Sequence, residues 1–219
     1  MQTIHSVRDI FSLEKFLKAR ELTIEAVNKV ATSVELGMVE DDGHELINKV
    51  LTEMGADNNW HPHKFRIGTN TTKSFKDISQ PAVKLKESDI FFIDIGPVWD
   101  GHEGDYGHTF VLGDSAVFDK IADSSRDVFN QVAKIWSEEG KSGKELYEIA
   151  QKISEEKGFV FNPRMKGHRL GDFPHHLFYR DGMNETDETP CNYLWVLEIH
   201  ILDKQNRFGA FFEDILIKK

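Results

Sequence analysis

Apolar residues recur at helical spacing in four stretches of the chain. The first stretch covers residues 13–36 and the second covers 41–54, and a glycine follows each of them. A longer stretch over 116–139 and a shorter one over 142–157 repeat this order later in the chain, again with glycines behind them. Spacings of three and four residues place apolar side chains on one helix face, and glycine is a frequent helix stop. The pattern predicts two pairs of amphipathic helices.

Short apolar runs of strand-like composition follow each predicted helix pair. Four runs cover residues 90–98, 105–112, 194–202 and 209–217, and a further short strand is indicated at 63–67. Their β-branched and aromatic residues, bounded by polar turns that contain glycine, favour strands. The sequence therefore predicts two strand pairs, one behind each helix pair.

The order of elements is the same in two halves of the chain, about 13–113 and 114–219. Each half reads as a long helix, a shorter helix, a polar stretch and two strands, without residue-level identity between the halves. Such a duplication can build one domain with antiparallel strands in the centre and helices outside. We expect an α+β fold of two pseudo-symmetric halves in a single domain over residues 1–219.

Each predicted strand pair carries two carboxylates in largely apolar sequence. Asp94 and Asp105 lie in the first pair, and Glu198 and Glu213 lie in the second. Burying an ionised carboxylate is costly unless it is paired or binds a cation, although hydrogen bonds from backbone N–H groups are a structural alternative. His168, which follows a glycine, adds an imidazole that can approach a ligand closely. Four carboxylates and one imidazole suit two divalent ions such as Mn, Co, Fe or Zn, whose charge the carboxylates would balance.

Composition and charge narrow the classes of function. Of 219 residues, 39% are hydrophobic and 29% charged, as in ordinary globular proteins. The formal net charge of −10 argues against nucleic-acid binding, and no apolar run approaches the roughly 20 residues of a membrane span. The first residues lack the apolar segment of a signal peptide, and Cys191 is the single cysteine, so we expect a cytoplasmic location. Serine-hydrolase, phosphate-loop and dinucleotide-binding motifs are absent from the sequence.

Three motifs together resemble those of one enzyme family. They are the ten-residue gap between Asp94 and Asp105, the Gly-His-x-x-Gly around His168, and the Glu-Asp that begins at Glu213. The combination resembles the pita-bread fold metallopeptidases: methionine aminopeptidase, aminopeptidase P, prolidase and the related creatinase. The resemblance implies that Asp94 holds one metal ion, that His168 and Glu198 hold the second, and that the other two carboxylates bridge both. It also implies a metal-bound hydroxide as nucleophile and Glu198 as general base or proton shuttle.

The resemblance also implies substrate contacts for further histidines. His175, seven residues beyond His168, would bond the substrate carbonyl or the tetrahedral intermediate, with His176 as its rival. His200 shares a strand face with Glu198, so it is a candidate for the pocket. His108 is a weaker candidate of the same kind, and ordinary packing is the more frequent role for both.

The sequence departs from the family pattern where substrates bind. Phe75 stands near the place of a substrate-binding histidine, and His108 and Phe211 stand where prolidase-like members carry arginines. His61 and His63, on either side of a proline, are interpreted as part of a loop or strand start rather than as metal ligands. The metal chemistry is therefore expected to be intact and the substrate pocket to be rebuilt.

Three functions compete on these grounds. The first is a metal-dependent aminopeptidase, of the methionine or Xaa-Pro type, that cleaves a small peptide or amide. The second is a creatinase-like hydrolase of a non-peptide C–N bond, because substrate-determining positions are changed. The third is a pita-bread binding protein without activity, which the full set of ligand residues disfavours. Fold similarity alone does not choose among the three functions. Whether the protein forms a homodimer is left open.

Overall fold

The computed structural model describes residues 3–218, and its four α-helices follow the predicted order. The helices are α1 Leu13–Thr32, α2 Glu40–Met54, α3 Ala116–Glu139 and α4 Gly143–Glu156. Hydroxyl oxygens of Ser12, Ser115 and Ser142 accept hydrogen bonds from backbone N–H groups in the first turns of α1, α3 and α4. Gly55 and Gly140 end α2 and α3 in the left-handed conformation. Local capping therefore sets most helix ends.

Helix α1 ends at Thr32, earlier than the predicted end at residue 36. The N–H of Gly37 donates to the carbonyl of Leu85 at 2.9 Å, and the N–H of Leu85 donates to the carbonyl of Met38 at 2.8 Å. These bonds draw the segment behind α1 towards the residues before the first long strand. The helix is shorter because a contact between residues far apart in sequence replaces its last turn.

The described residues form ten strands, most of them near the predicted runs. They are β1 Asn58–Asn59, β2 Lys64–Ile67, β3 Asp89–Ile95, β4 Pro97–Trp99, β5 His102–Glu103, β6 Tyr106–Leu112, β7 Val160–Phe161, β8 His168–Arg169, β9 Trp195–Leu202 and β10 Gly209–Ile215. The predicted run 90–98 divides at Gly96, because β4 leaves the large sheet and joins β1 and β5 in a small three-stranded sheet.

The large sheet is antiparallel and contains strands from both halves of the chain. Its order is β2-β3-β6-β10-β9-β7, and β8 also pairs with β9. β6 and β10 lie side by side in the centre, and each has its own hairpin partner, β3 or β9, on its outer side. The sheet therefore joins the two halves along its middle.

The two faces of this sheet have different chemistry. Side chains alternate between faces along a strand, and Ile93, Ile199 and Phe212 lie in the main hydrophobic core against the helices. Asp214 also faces the helices, where its Oδ1 accepts a hydrogen bond from Arg20 Nε of α1 at 2.6 Å. Its neighbour Glu213 lies on the opposite face. Asp94, Glu198 and Glu213, which share one row of the sheet, are thus directed away from the helices.

The predicted α+β architecture, with central antiparallel strands and outer helices, is confirmed. Helices α1 and α3 pack against strands of the large sheet, and α2 and α4 pack against α1 and α3. Within residues 3–218, no helix has both the length and the apolar sequence to cross a membrane.

Candidate metal centre

Three carboxylates lie in one row across four neighbouring strands. Asp94 of β3 is opposite Gly107 of β6, Gly107 is opposite Glu213 of β10, and Glu213 is opposite Glu198 of β9. A Cβ at Gly107 would lie 2.8 Å from Glu213 Oε1, so the glycine leaves room for that carboxylate. Asp105 precedes Gly107 by two residues and adds a fourth carboxylate beside the row. The sheet register brings together acidic residues that are up to 119 positions apart in sequence.

His168 reaches the same cluster from β8. Its Nε2 lies 2.9 Å from Asp105 Oδ2 and 3.7 Å from Glu198 Oε1. Gly167 has φ +59°, and a Cβ there would lie 2.5 Å from the carbonyl oxygen of Val196. Only glycine therefore allows β8 to approach β9 closely enough to place the imidazole. The structure thus brings together all five residues that the sequence predicts as metal ligands.

Several oxygens of this cluster are buried without a hydrogen-bond partner among the residues that the structure describes. They are both carboxylate oxygens of Asp105 and Oε1 of Glu213. His168 Nε2 is within ion-pair distance of Asp105 Oδ2 but not in hydrogen-bonding geometry. Unpartnered buried carboxylate oxygens are energetically costly and rare. A set of carboxylate oxygens with imidazole nitrogen is a suitable ligand set for Mn, Fe, Co or Zn, so the residues present fit a divalent cation.

Without a bound cation, the two glutamates of the cluster hold protons more tightly than isolated carboxylates do. Burial, together with the negative charges of Asp94 and Asp105, raises the pKa of Glu198 from 4.5 to about 7, against the opposing charge of His168. Burial and the neighbouring carboxylates also raise the pKa of Glu213 well above its ordinary value.

Asp105 and His168 behave in the opposite way, as an ion pair. Burial opposes ionisation of Asp105, but the neighbouring imidazoles of His168 and His61 lower its pKa to about 2. Burial likewise disfavours the charged form of His168, yet Asp105 raises its pKa to about 9. Protons and a cationic imidazole therefore compensate the negative charge that cations would otherwise balance.

A pocket of about 280 Å³ opens onto the carboxylates. The next row along the same sheet face contains Phe92, Thr109 and Phe211, so the sheet beside the acidic row is mostly apolar. Phe75 and Met165 supply apolar side walls, while the entrance carries cationic and acidic side chains. The residues lining the pocket are Trp60, His61, Phe75, Asp94, Asp105, Arg164, Met165, Lys166, Gly167, His168, Arg180, Asp181, Gly182, Glu198 and Glu213.

His61, predicted from the sequence to be a residue of a loop or strand start, lies inside the cluster. Its Nε2 is 3.5 Å from Asp105 Oδ1 and 3.6 Å from Asp94 Oδ1. Trp60 packs edge-on against His61 and His168, with ring centroids 4.3 and 5.0 Å apart. The only sequence signal was a histidine pair flanking a proline in a polar stretch, which is more often a loop.

His175 lies at the edge of the cluster and is held by Glu103, which sequence reasoning also missed. The imidazole stacks on His168 with ring centroids 5.2 Å apart, and its Nδ1 is 3.0 Å from Glu103 Oε2. Glu103 Oε1 accepts the backbone N–H of His175 at 2.9 Å, and Glu103 is only 1% exposed. Burial lowers the pKa of His175 despite this carboxylate. Glu103 lies in the short polar segment between two predicted strands, so no local pattern singled it out.

The three further candidate histidines do not reach the carboxylates. His176 is exposed, next to His175. His200 does face the same side as Glu198, but it is fully buried between the carbonyl of Thr71, 2.8 Å from Nε2, and the amide of Asn162, 3.0 Å from Nδ1. Because these groups cover both ring nitrogens, the geometry does not support a substrate contact for His200.

His108 lies on the helix-facing side of β6, contrary to the prediction of a substrate contact. Strand alternation places it in one row with Ile93 and Phe212, and its ring packs edge-on against Phe110 and Phe212. Burial lowers its pKa to about 4. The geometry does not support a substrate-binding role for His108, because the sheet separates it from the pocket.

Known proteins of similar sequence and structure are aminopeptidases and prolidases. A methionine aminopeptidase from Aquifex aeolicus is 24% identical over 188 residues, which are 77% of this chain and 68% of that protein. An X-Pro aminopeptidase from Thermotoga maritima superposes with a TM-score of 0.77 at 20% identity, over 97% of this chain and 62% of that one. A methionine aminopeptidase from Thermotoga maritima gives 0.75 at 17% identity over 100% of both chains. The predicted pita-bread fold is thereby confirmed.

The sequence itself carries the family assignment. The pattern of Metallopeptidase family M24 matches residues 14–219, which is nearly the whole chain. The chain spans about three-fifths of the X-Pro aminopeptidase and the full length of the Thermotoga maritima methionine aminopeptidase. The chain therefore belongs to metallopeptidase family M24, and the predicted class of metal-dependent hydrolases is confirmed with that membership.

Proposed function

We propose that this chain is an aminopeptidase that uses two divalent metal ions to hydrolyse a small peptide or a related amide. The observation that carries the proposal is the convergence of four carboxylates and an imidazole around oxygens that have no other partner. Asp105 contributes two such oxygens and Glu213 contributes one. The relatives named above, methionine and X-Pro aminopeptidases, make cleavage next to a free N-terminus the leading reaction.

The residues that would hold the ions are divided between the two halves of the chain. Asp94 would hold one ion, His168 and Glu198 would hold the other, and Asp105 and Glu213 would bridge them. Bound there, divalent ions would polarise the amide carbonyl and lower the pKa of water at neutral pH. Mn, Co, Fe and Zn all suit such ligands.

Glu198 is the proposed proton carrier of the reaction. Burial chiefly raises its pKa to about 7 in the metal-free cluster, which supports this role. A carboxylate with such an affinity can take a proton from attacking water and return it to the departing amine. Its position at the end of the acidic row places it beside the pocket.

His175 is the proposed contact to the substrate. Glu103 Oε2 accepts from Nδ1–H, which leaves Nε2 free to accept a hydrogen bond while the ring is neutral. The lowered pKa of His175 keeps the ring neutral at pH 7. A neutral ring would accept from a substrate N–H, whereas donation to a carbonyl would require the protonated ring.

The pocket favours a small substrate with apolar character. Phe75 and Phe211 occupy positions where related enzymes place polar substrate-binding residues, and Phe211 is fully buried. This substitution supports a second candidate, hydrolysis of a non-peptide C–N bond, because polar contacts to a peptide chain are replaced by hydrocarbon.

The expected cytoplasmic location, the absence of nucleic-acid partners and homodimer formation stay predictions.

A substrate screen separates these functions. The purified chain is reconstituted separately with Mn²⁺, Co²⁺, Fe²⁺ and Zn²⁺ and offered a panel of dipeptides and tripeptides, each with a free and an acetylated N-terminus. The aminopeptidase proposal predicts hydrolysis of free peptides and none of acetylated ones. Turnover restricted to non-peptide amides would establish the second candidate. Metal binding without hydrolysis of any amide would contradict both.

A further inference from the structure

His61 is placed as a metal ligand would be. Its Nε2 and the nearest oxygens of Asp94 and Asp105 all lie within 4.8 Å of one another. The two nitrogen–oxygen distances, 3.6 and 3.5 Å, are close to the roughly 3.4 Å that separates two ligand atoms about 2.1 Å from a tetrahedral cation. The side chain is only 8% exposed. The three groups could therefore close around one ion with small side-chain movements.

The orientation of the ring also suits a ligand. Nδ1 of His61 is 2.9 Å from the carbonyl oxygen of Pro62. A carbonyl can only accept, so Nδ1 carries a hydrogen, and Nε2 is the nitrogen that faces the carboxylates and would bind a cation there once it has lost its proton. His168 has the same arrangement, with Nδ1 2.8 Å from the carbonyl oxygen of Arg169. Metal-bound histidines usually donate their second N–H to a backbone carbonyl or carboxylate in this way.

Asp105 lies between the two imidazoles. Its Oδ1 is the oxygen near His61, and its Oδ2 is the oxygen near His168. Neither oxygen has a hydrogen-bond partner within residues 3–218. Asp105 thus directs one oxygen to each histidine. The cluster therefore has two similar parts, one with His61 and Asp94 and the other with His168 and Glu198.

The backbone around the pocket accommodates His61. A Cβ at Gly96 would lie 2.2 Å from the His61 ring, so glycine there makes room for it. The neighbouring Trp60 donates its backbone N–H to Gly96 at 2.9 Å and its Nε1–H to the carbonyl of Gly104 at 3.0 Å. Gly96 follows Asp94 by two residues and Gly104 directly precedes Asp105. The segment that carries His61 is therefore hydrogen-bonded to the backbone close to both of its partner carboxylates.

We propose that His61 is a sixth protein ligand of the metal centre, binding through Nε2 the ion that Asp94 and Asp105 hold. The proposal rests on the dinuclear site proposed above. It gives each ion one imidazole, where the family resemblance predicts a single histidine for the pair. Because imidazole favours Zn, Fe and Co and carboxylate oxygen favours Mn, the second histidine should shift the first position away from Mn.

X-ray absorption of the Zn-loaded protein tests this assignment directly, since imidazole ligands have a distinct scattering pattern. The expected result for the wild type is about one imidazole per ion at a loading of two ions per chain. With both ions bound, His61→Ala and the milder His61→Gln should each lower the average to about half an imidazole per ion. In calorimetric titration they should weaken the binding of one ion by roughly 10- to 100-fold, the loss that follows even when a residue hydrogen-bonded to a metal ligand is replaced. His63→Ala is the matched control, because His63 lies in the same segment outside the carboxylate cluster.

The outcomes separate this proposal from the proposed function. Two bound ions with about one imidazole for the pair, unchanged in His61→Ala, would overturn the role of His61 and leave the dinuclear site standing. Failure of the wild type to bind two ions would overturn both proposals. Because the wild-type spectrum alone counts the imidazoles, the assignment stays testable even if a His61 variant does not fold.

Discussion

The two halves of the chain contribute to the site in parallel but with different electrostatics. The first half supplies Asp94 and Asp105, with His61 beside them, and the second supplies Glu198 and Glu213, with His168 beside them. Asp105 is the strongest acid of the set because two imidazoles face it. Both glutamates have raised pKa values: burial and carboxylates outweigh the charge of His168 at Glu198, and they act together at Glu213.

This difference suggests a division of labour. A carboxylate that stays ionised can hold cations at any physiological pH, whereas one that binds a proton near neutrality can transfer it. Asp105 of the first half therefore suits anchoring of the ions, whereas burial raises the pKa of Asp94 in the same half. The second half suits anchoring together with proton transfer, for which Glu198 is placed at the pocket.

Removing Asp105 should have the largest effect, because it is the carboxylate that both halves share. Asp105→Ala is expected to lose both ions and to lower kcat/KM by roughly 1,000-fold or more, since bound ions contribute several kcal/mol to the transition state. Elemental analysis and steady-state kinetics measure the two effects together. Asp187→Asn, at an exposed carboxylate paired only with Lys144, is the matched control. An Asp105→Ala protein that keeps two ions would contradict a bridging role.

Glu198→Gln should mainly affect the chemical step. Loss of a general base typically costs about 100- to 10,000-fold in kcat, and glutamine keeps an oxygen that can still face an ion. The expected outcome is a large loss of kcat with a smaller change in KM, together with loss of the acidic limb of the pH profile. An unchanged pH profile would assign proton transfer to another group.

Metal removal should destabilise the protein increasingly as pH rises. The metal-free folded chain has a Glu198 pKa of about 7 against 4.5 ordinarily, and a His168 pKa of about 9 against 6.5. Between these values the folded state binds more protons than the unfolded state, so its free energy of unfolding falls as pH rises from about 4.5 to 9. Chelator-treated protein should lose on the order of a few kcal/mol over this range by urea unfolding.

The metal-loaded protein is the control for this experiment. Its ligands are already deprotonated, so its stability should change little between pH 6 and 9. If the free energy of unfolding of the metal-free and metal-loaded forms depended equally on pH, Glu198 and His168 would not be metal ligands.

Glu103 should have a smaller effect, exerted through His175. Glu103→Ala leaves the Nδ1–H and backbone N–H of His175 without their acceptor, which costs roughly 1–3 kcal/mol of stability. Glu103→Gln keeps one acceptor oxygen and should recover part of that stability. If Glu103 orients the imidazole for substrate, both variants should raise KM and shift its pH dependence. A change in stability alone would leave Glu103 a structural residue.

The sequence predicted that these carboxylates lie together because their signal is local. Carboxylates such as Asp94 and Glu198 stand in strands that are otherwise apolar, where an unpaired charge would be too costly. Strand alternation then predicts which face they share. The same rule led to a wrong prediction of a pocket position for His200. Strand alternation gives the face of the sheet on which a side chain lies, but not which other residues cover it. Thr71 and Asn162 cover His200.

His61 and Glu103 could not be predicted because their roles depend on distant contacts. His61 reaches the site through Trp60, which bonds to Gly96 and Gly104. Glu103 is buried by the segment around His175, 72 residues away. Polar residues in short turns usually face water, so local sequence gave no reason to expect either one inside.

Metal content of the purified chain tests the central claim, that the two halves meet at one dinuclear centre. The protein is prepared without chelator, reconstituted with Mn²⁺, Co²⁺, Fe²⁺ or Zn²⁺, and measured by elemental analysis beside Glu213→Ala. The account predicts about two ions per chain in the wild type and a clear loss in the variant, because Glu213 lies between Gly107 of one half and Glu198 of the other. A wild-type chain that binds no ion, or the same number as Glu213→Ala, would contradict it.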